Sequence, residues 1–169
     1  QAASAYAIQN LCSHGDNFVA SSHLYGGTYN QFKNPFSDMG IEVRFVDPSD
    51  PQNFLDATDD KTRAYYGEVL PNPSFQVFPL QEVADLGRPL GIPLIVDNTA
   101  APLICRPFDN GAAIILHSAT KYIGGHGTSI GGVIVDGGNF DWEAHPDRQP
   151  KLNQPDPNYN GVIWTEAVK

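Results

Sequence analysis

Apolar positions change period several times along the chain, and each change marks an element boundary. Ala5, Ile8, Leu11 and Cys12 recur at helical spacing until the breaker His14-Gly15. "NFVASS" (17–22) then reads as a short strand. "YGGTYNQFKNPFSDMG" opens on a glycine turn and continues with helical spacing, interrupted or bent by Pro35. "IEVRFVD" (41–47) alternates like a strand, and a Pro/Asp turn leads into a short helix around 53–58. Residues 62–70, "TRAYYGEVL", are strand-like and run into the loop "PNPSF". Residues 80–90 have helical spacing and stop near Gly91. Three β-rich runs follow, at 92–99, 112–120 and 131–138.

Strands alternating with helices predict an α/β fold: a mainly parallel sheet with helices on both faces, in three layers. The unalternated runs "PLIV" and "AIIL" suit central strands buried on both sides. Residues 1–140 read as this domain. Residues 141–169, rich in Pro, Asp and Asn, read as a loop or linker leading toward a further domain. The chain opens on what looks like a helix interior and has no initiator Met, so it reads as a piece of something longer.

Composition narrows the partners. Ten Lys+Arg against 19 Asp+Glu give a net charge of −9, which argues against nucleic-acid and anionic-membrane surfaces. Cys12 and Cys105 form neither a metal spacing nor a disulfide framework, so a reducing, cytoplasmic setting is expected. No run is long and apolar enough to span a membrane.

Ligands of parallel sheets sit beyond the carboxyl ends of the strands, so polar groups there carry the chemistry. "HSATKYIGGHG" (117–127) delivers Lys121 from a buried strand, with Ser118 and Thr120 before it and glycines after it. A free lysine titrates near ~10.4, and burial beside positive charge can bring it to ~7–8, where it forms Schiff bases and moves protons. Ser118 and Thr120 could donate to phosphate oxygens. "LIVDNT" delivers Asp97 from an apolar run, where a carboxylate needs a cationic partner such as a protonated heteroaromatic nitrogen. Tyr25 could present its ring face to a flat ligand, and Asn72 could reach a phenolic oxygen. Together these groups match pyridoxal 5′-phosphate, which has an aldehyde, a phosphate, a pyridinium nitrogen, a flat ring and a 3-oxygen. Two rivals fit less well. "GGHGTSIGG" lacks the lysine of a phosphate-binding P-loop, and His117 and His126 lack metal-ligand spacing.

The stretches "LYGGTY", "GEVLPNP", "PLIVDNTAAP" and "HSATKYIGGHGTSIGGVIV", in this order, resemble the Cys/Met-metabolism family of pyridoxal-phosphate enzymes. The resemblance covers residues 1–165 and implies the large domain of a fold type I transferase. It implies that Lys121 holds the cofactor through a Schiff base and shuttles protons, making it catalytic together with Tyr25, which stacks on the ring. Asp97 would pair with the pyridine N–H, and Ser118 and Thr120 would bind the phosphate. Asn72 would approach the 3-oxygen, Thr99 would line the pocket, and Gln1 would be the second of two residues offering backbone amides to the phosphate. No metal is expected.

Within the family, "GGHGTSIGGVIVDGGNFDW" and "QPDPNYNGVIW" are most similar to the O-acetylhomoserine sulfhydrylase branch. That implies γ-replacement on O-acetylhomoserine by sulfide or a thiol, giving homocysteine or methionine, in a homotetramer built as a dimer of dimers. The cystathionine and methionine γ-lyases share the cofactor residues and remain an alternative, as does a truncated, non-catalytic scaffold. The family's N-terminal arm and C-terminal domain have no counterpart in these residues, so weak cofactor binding and little turnover are expected of this piece alone.

Overall fold

The computed structural model describes residues 1–168. Its elements run α1 (Ala2–Leu11), β1 (Asn17–Ser21), α2 (Gly26–Lys33), α3 (Pro35–Asp38), β2 (Glu42–Val46), α4 (Gln52–Asp56) and β3 (Thr62–Glu68). Then come α5 (Leu80–Gly87), β4 (Leu94–Asp97), β5 (Ile114–Ser118), β6 (Gly132–Asp136), α6 (Pro150–Asn153) and α7 (Trp164–Ala167). Six strands form one sheet in the order β2-β1-β3-β4-β5-β6. All neighbours are parallel except β5 and β6.

The alternation of strand side chains divides the core into two. Phe18 and Ala20 of β1, Ala64 and Tyr66 of β3, Ile95 of β4 and Leu116 of β5 face one side. There they meet α1 through Ala7, Ile8 and Leu11, and α2 and α3 through Phe32 and Phe36. Phe18, Phe32, Phe36 and Tyr66 pack edge to face, with ring centroids 4.8 to 6.1 Å apart. The intervening residues Val19, Tyr65, Val96 and Ile115 face the other side, against Phe54 of α4 and Leu80, Val83 and Ala84 of α5. This is the expected three-layer α/β/α arrangement, with β1, β3, β4 and β5 central.

Local chemistry sets the boundaries. Pro35 divides the anticipated helix in two, because it sits in the first turn of α3, where its missing N–H costs nothing. The helix expected over 80–90 tightens into a 3-10 turn at Arg88–Leu90 and ends at Gly91, whose φ of +70° closes it in left-handed geometry.

The tail is more ordered than its composition foretells. Of residues 141–169, expected as loop or linker, the described ones (141–168) carry α6, α7 and a 3-10 turn at Pro157–Tyr159, and the segment around Gln149 is docked on the body. Gln149 is only 1% exposed and donates from Nε2 to the carbonyls of Arg63 (2.9 Å) and Gly91 (3.0 Å). Arg63 also forms a well-buried ion pair with Asp16 at 2.7 Å.

Candidate active site

Parallel strands deliver their carboxyl ends to one edge of the sheet, and the anticipated residues collect there. Tyr25 follows β1 as the N-cap of α2, Asn72 lies in the loop after β3, and Asp97 is the last residue of β4 with Thr99 just beyond. Ser118 ends β5, and Thr120 and Lys121 lie in the turn after it. Gln1 caps α1 at this same edge, and its side-chain amide and the Tyr25 ring fill the space that a Cβ on Gly27 would take.

Asp97 is held from within. Its Oδ1 accepts from the Thr99 backbone N–H (2.8 Å) and the Thr99 hydroxyl (2.5 Å). Thr99 Oγ1 in turn accepts from the Ser118 N–H at 2.7 Å, so one hydroxyl ties the ends of β4 and β5 together. Burial nevertheless pushes the Asp97 carboxyl above its ordinary value, with the Thr99 donors opposing. No Lys or Arg ion pair reaches it among the described residues.

The other expected residues are arranged less uniformly. Lys121 is exposed, not buried, and its ammonium has no partner among the described residues. Tyr25 is 52% exposed at the rim. Asn72 is exposed as well. Ser118 and Thr120 differ in their bonding. The Ser118 hydroxyl is uncommitted, whereas Thr120 Oγ1 donates to the Gly131 carbonyl (3.3 Å) and accepts from its N–H (3.1 Å), closing the loop onto β6. Two clefts flank this edge. One, of about 440 Å³, lies between α1 and α2 and is lined by Gln1 and Gly27. The other, of about 750 Å³, is lined by Asn98, Leu103, Arg106, His117 and Tyr122.

Two groups, Glu68 and the Tyr66 hydroxyl, escaped the reading of the sequence, and a third, His117, was weighed there only as a metal ligand. Glu68 ends β3 directly opposite Asp97 and is 6% exposed. Burial raises its carboxyl to about 8, helped by the negative charge of Asp97. Its two oxygens accept from the Tyr25 N–H at 2.9 and 3.0 Å. The Tyr66 hydroxyl is fully buried without a hydrogen-bond partner, and burial raises it well above the usual phenol range. His117 likewise has a buried Nδ1 with no partner. A carboxylate closing a long apolar strand singles out Asp97, and the same signal is present at Glu68. No group of three metal-ligating side chains exists among the described residues.

Known proteins can now be set beside this geometry. The family model for Cys/Met metabolism PLP-dependent enzymes matches residues 1–154. The chain is 48% identical over 169 residues to the homocysteine/cysteine synthase of Saccharomyces cerevisiae, covering 99% of this chain and 38% of that protein. It is 46% identical over 168 residues to the O-acetyl-L-homoserine sulfhydrylase of Leptospira meyeri, with the same coverages. Among solved structures, one described as an O-acetylhomoserine (thiol)-lyase of Campylobacter jejuni superposes with a TM-score of 0.95 at 34% identity. It is covered to 42% by this chain, which is covered to 99%, and it carries N′-pyridoxyl-lysine-5′-monophosphate. The chain thus spans about two fifths of the length of these relatives. With the family model matched over residues 1–154 and the fold shared with a solved relative, the chain belongs to the Cys/Met metabolism family of PLP-dependent enzymes.

Proposed function

We propose that this chain is the cofactor-binding part of an enzyme that exchanges the γ-substituent of O-acetylhomoserine for sulfide or a thiol, giving homocysteine or methionine. The observation that carries the reading is the single sheet edge shared by a largely desolvated carboxyl with no Lys or Arg ion pair, Asp97, and an uncommitted amine, Lys121. A desolvated carboxyl that lacks a cationic partner is a site prepared for one, and the pyridine N–H of pyridoxal phosphate supplies it. The exposed Tyr25 ring offers a flat apolar face, and the free Ser118 hydroxyl offers a phosphate donor.

When bound, the cofactor supplies an electron sink that stabilises negative charge at the substrate Cα. The rest falls to the protein. Lys121 would hold the aldehyde carbon through Nζ, and its amine, freed by substrate, would take the proton from Cα and help relay it at Cβ. Asp97 keeps the ring nitrogen protonated, while Thr99 fixes the Asp97 carboxylate and the β5 end together. Ser118 and Thr120 bind phosphate, the latter after releasing Gly131, and Gln1 adds a backbone amide at the start of α1. Asn72 approaches the 3-oxygen. Acetate leaves Cγ and the sulfur nucleophile joins the same carbon.

We place the enzyme in the cytoplasm, as a homotetramer built from dimers. Both cysteines are free thiols, and no helix among the described residues is long and apolar enough to cross a membrane. The names of the yeast and Leptospira relatives support the choice of substrate. The test uses the full-length chain. It should show a band near ~420 nm, bleached by borohydride and absent in Lys121→Ala. Homocysteine should form from O-acetylhomoserine and sulfide. A colourless protein that gains no band with added cofactor refutes the cofactor reading, and α-ketobutyrate released from methionine or cystathionine instead refutes the γ-replacement.

A further inference from the structure

We propose that Glu68 is a positioning residue of this site: by accepting the Tyr25 amide proton it fixes the segment that places the Tyr25 ring over the cofactor. The inference rests on the cofactor reading above and adds a residue to it.

The geometry is specific. α2 begins at Gly26 with Tyr25 as its N-cap, and no side chain of that segment caps it. The missing acceptor comes instead from a neighbouring strand. Both oxygens of Glu68 lie within 3.0 Å of the Tyr25 nitrogen, and the Thr28 hydroxyl one turn into α2 also bonds the carboxyl. An acid at a helix N-terminus is favoured by the aligned peptide dipoles. Burying a carboxyl to 6% exposure is nonetheless costly, and no Lys or Arg ion pair offsets it among the described residues. A cap for one exposed turn would be served at less cost by Ser or Asp at the cap position itself.

The residue that this carboxyl grips is what sets it apart. The Tyr25 hydroxyl makes no hydrogen bond among the described residues, and half the residue is open to solvent. The ring is therefore located by its backbone, and the backbone is located by Glu68. On the far side Gly27 leaves the space that the ring occupies, because a Cβ there would run into Tyr25 and the Gln1 amide. Glu68 also stands beside Asp97 in the β3–β4 register, so the strand end that fixes the ring adjoins the strand end that would hold the pyridine nitrogen.

A double-mutant cycle in the full-length protein tests this, with pyridoxal 5′-phosphate titrated into cofactor-free enzyme and followed by visible absorbance and induced circular dichroism. Glu68→Ala should weaken cofactor affinity about tenfold and diminish the visible dichroism. Glu68→Gln, which still accepts the amide proton, should stay within about threefold of wild type. In a Tyr25→Ala background, Glu68→Ala should change affinity less than about twofold, since its route to the cofactor is already gone. Equal losses in both backgrounds, or wild-type dichroism in Glu68→Ala, overturn the positioning role and leave the cofactor reading standing. A wild-type protein that takes up no cofactor overturns both. Should Glu68→Ala fail to fold, Glu68→Asp withdraws the carboxyl while keeping an acid at the position. It should lose the dichroism, and retained dichroism refutes the role.

Discussion

Replacing Glu68 by glutamine removes a buried titratable group while keeping its shape and its acceptor for the Tyr25 N–H. In the folded chain burial holds the Glu68 proton from the ordinary value of 4.5 up to about 8, and the charge of Asp97 adds to the shift. Because the folded value lies above the unfolded one, the folded state binds more protons between those limits. The stability that this group contributes is complete below pH 4.5 and is lost as pH rises toward 8. The slope is at most ~1.4 kcal/mol per pH unit, so pH 5 to 7 costs at most about 3 kcal/mol. Glutamine does not titrate, and its variant escapes the loss. Melting of cofactor-free, full-length protein at pH 5, 6.5 and 8 measures the effect. Glu68→Gln should gain on wild type by a few degrees as pH rises. A difference that stays constant across this range refutes the claim that Glu68 is buried and reluctant to ionise.

Thr99→Val removes the hydroxyl that Asp97 Oδ1 and the Ser118 N–H share, which should cost about 1–3 kcal/mol and weaken cofactor binding; Thr99→Ser, assayed alongside by denaturation and cofactor titration, should restore both. Gly27→Ala should separate stability from binding. Alanine improves helix propensity by up to ~1 kcal/mol, yet its Cβ displaces the Tyr25 ring, so melting should hold or rise while cofactor affinity falls. Gln149→Ala should do the reverse, lowering stability by about 1–3 kcal/mol through the lost bonds to Arg63 and Gly91 and leaving cofactor affinity unchanged.

Strand placement was legible because the central strands are apolar on both sides, and such runs stand out whatever their direction. Direction itself was not. Nothing in "GGVIVD" distinguishes the antiparallel β6 from its parallel neighbours, because alternation encodes faces and not polarity. The site was legible where a polar residue interrupts an apolar run, as at Asp97 and Ser118. Glu68 meets the same criterion, following the buried run from Ala64 to Gly67, but its partner is a backbone amide 43 residues away, which no local pattern announces. Thr120 was legible as a hydroxyl beside Lys121. Its bonds to Gly131 depend on how the loop folds back onto β6, because it lies beyond the end of β5, where strand alternation no longer sets a side chain's direction. The tail was opaque for a related reason. Trp142 and Leu152 pack on the core, but Gln149 and Arg148 also dock it by bonding backbone carbonyls, and contacts of that kind leave no hydrophobic period to read.

Glu68 and Asp97 close adjacent strands opposite one another, and burial resists ionisation of both. Each receives an N–H and a hydroxyl, and what separates them is how those donors are aimed and how far burial outweighs them. Asp97 has an N–H and a hydroxyl aimed at one oxygen, and both favour its charged form. Glu68 has the Tyr25 amide shared between its oxygens and the Thr28 hydroxyl, yet burial and the Asp97 charge still raise it into the neutral range. A pyridine N–H set against Asp97 draws that group further toward the carboxylate, and the resulting charge disfavours a second one on Glu68. The site then carries one negative charge for one ring nitrogen, where two would attract cations without specificity and repel an anionic substrate. On this argument the neighbouring strands hold carboxyls in different protonation states: one matches the cofactor's charge, and the other, mostly neutral, holds the backbone that carries the stacking ring. Asp97→Asn should therefore lower the pH at which Glu68 ionises, and it should do so even before cofactor is added.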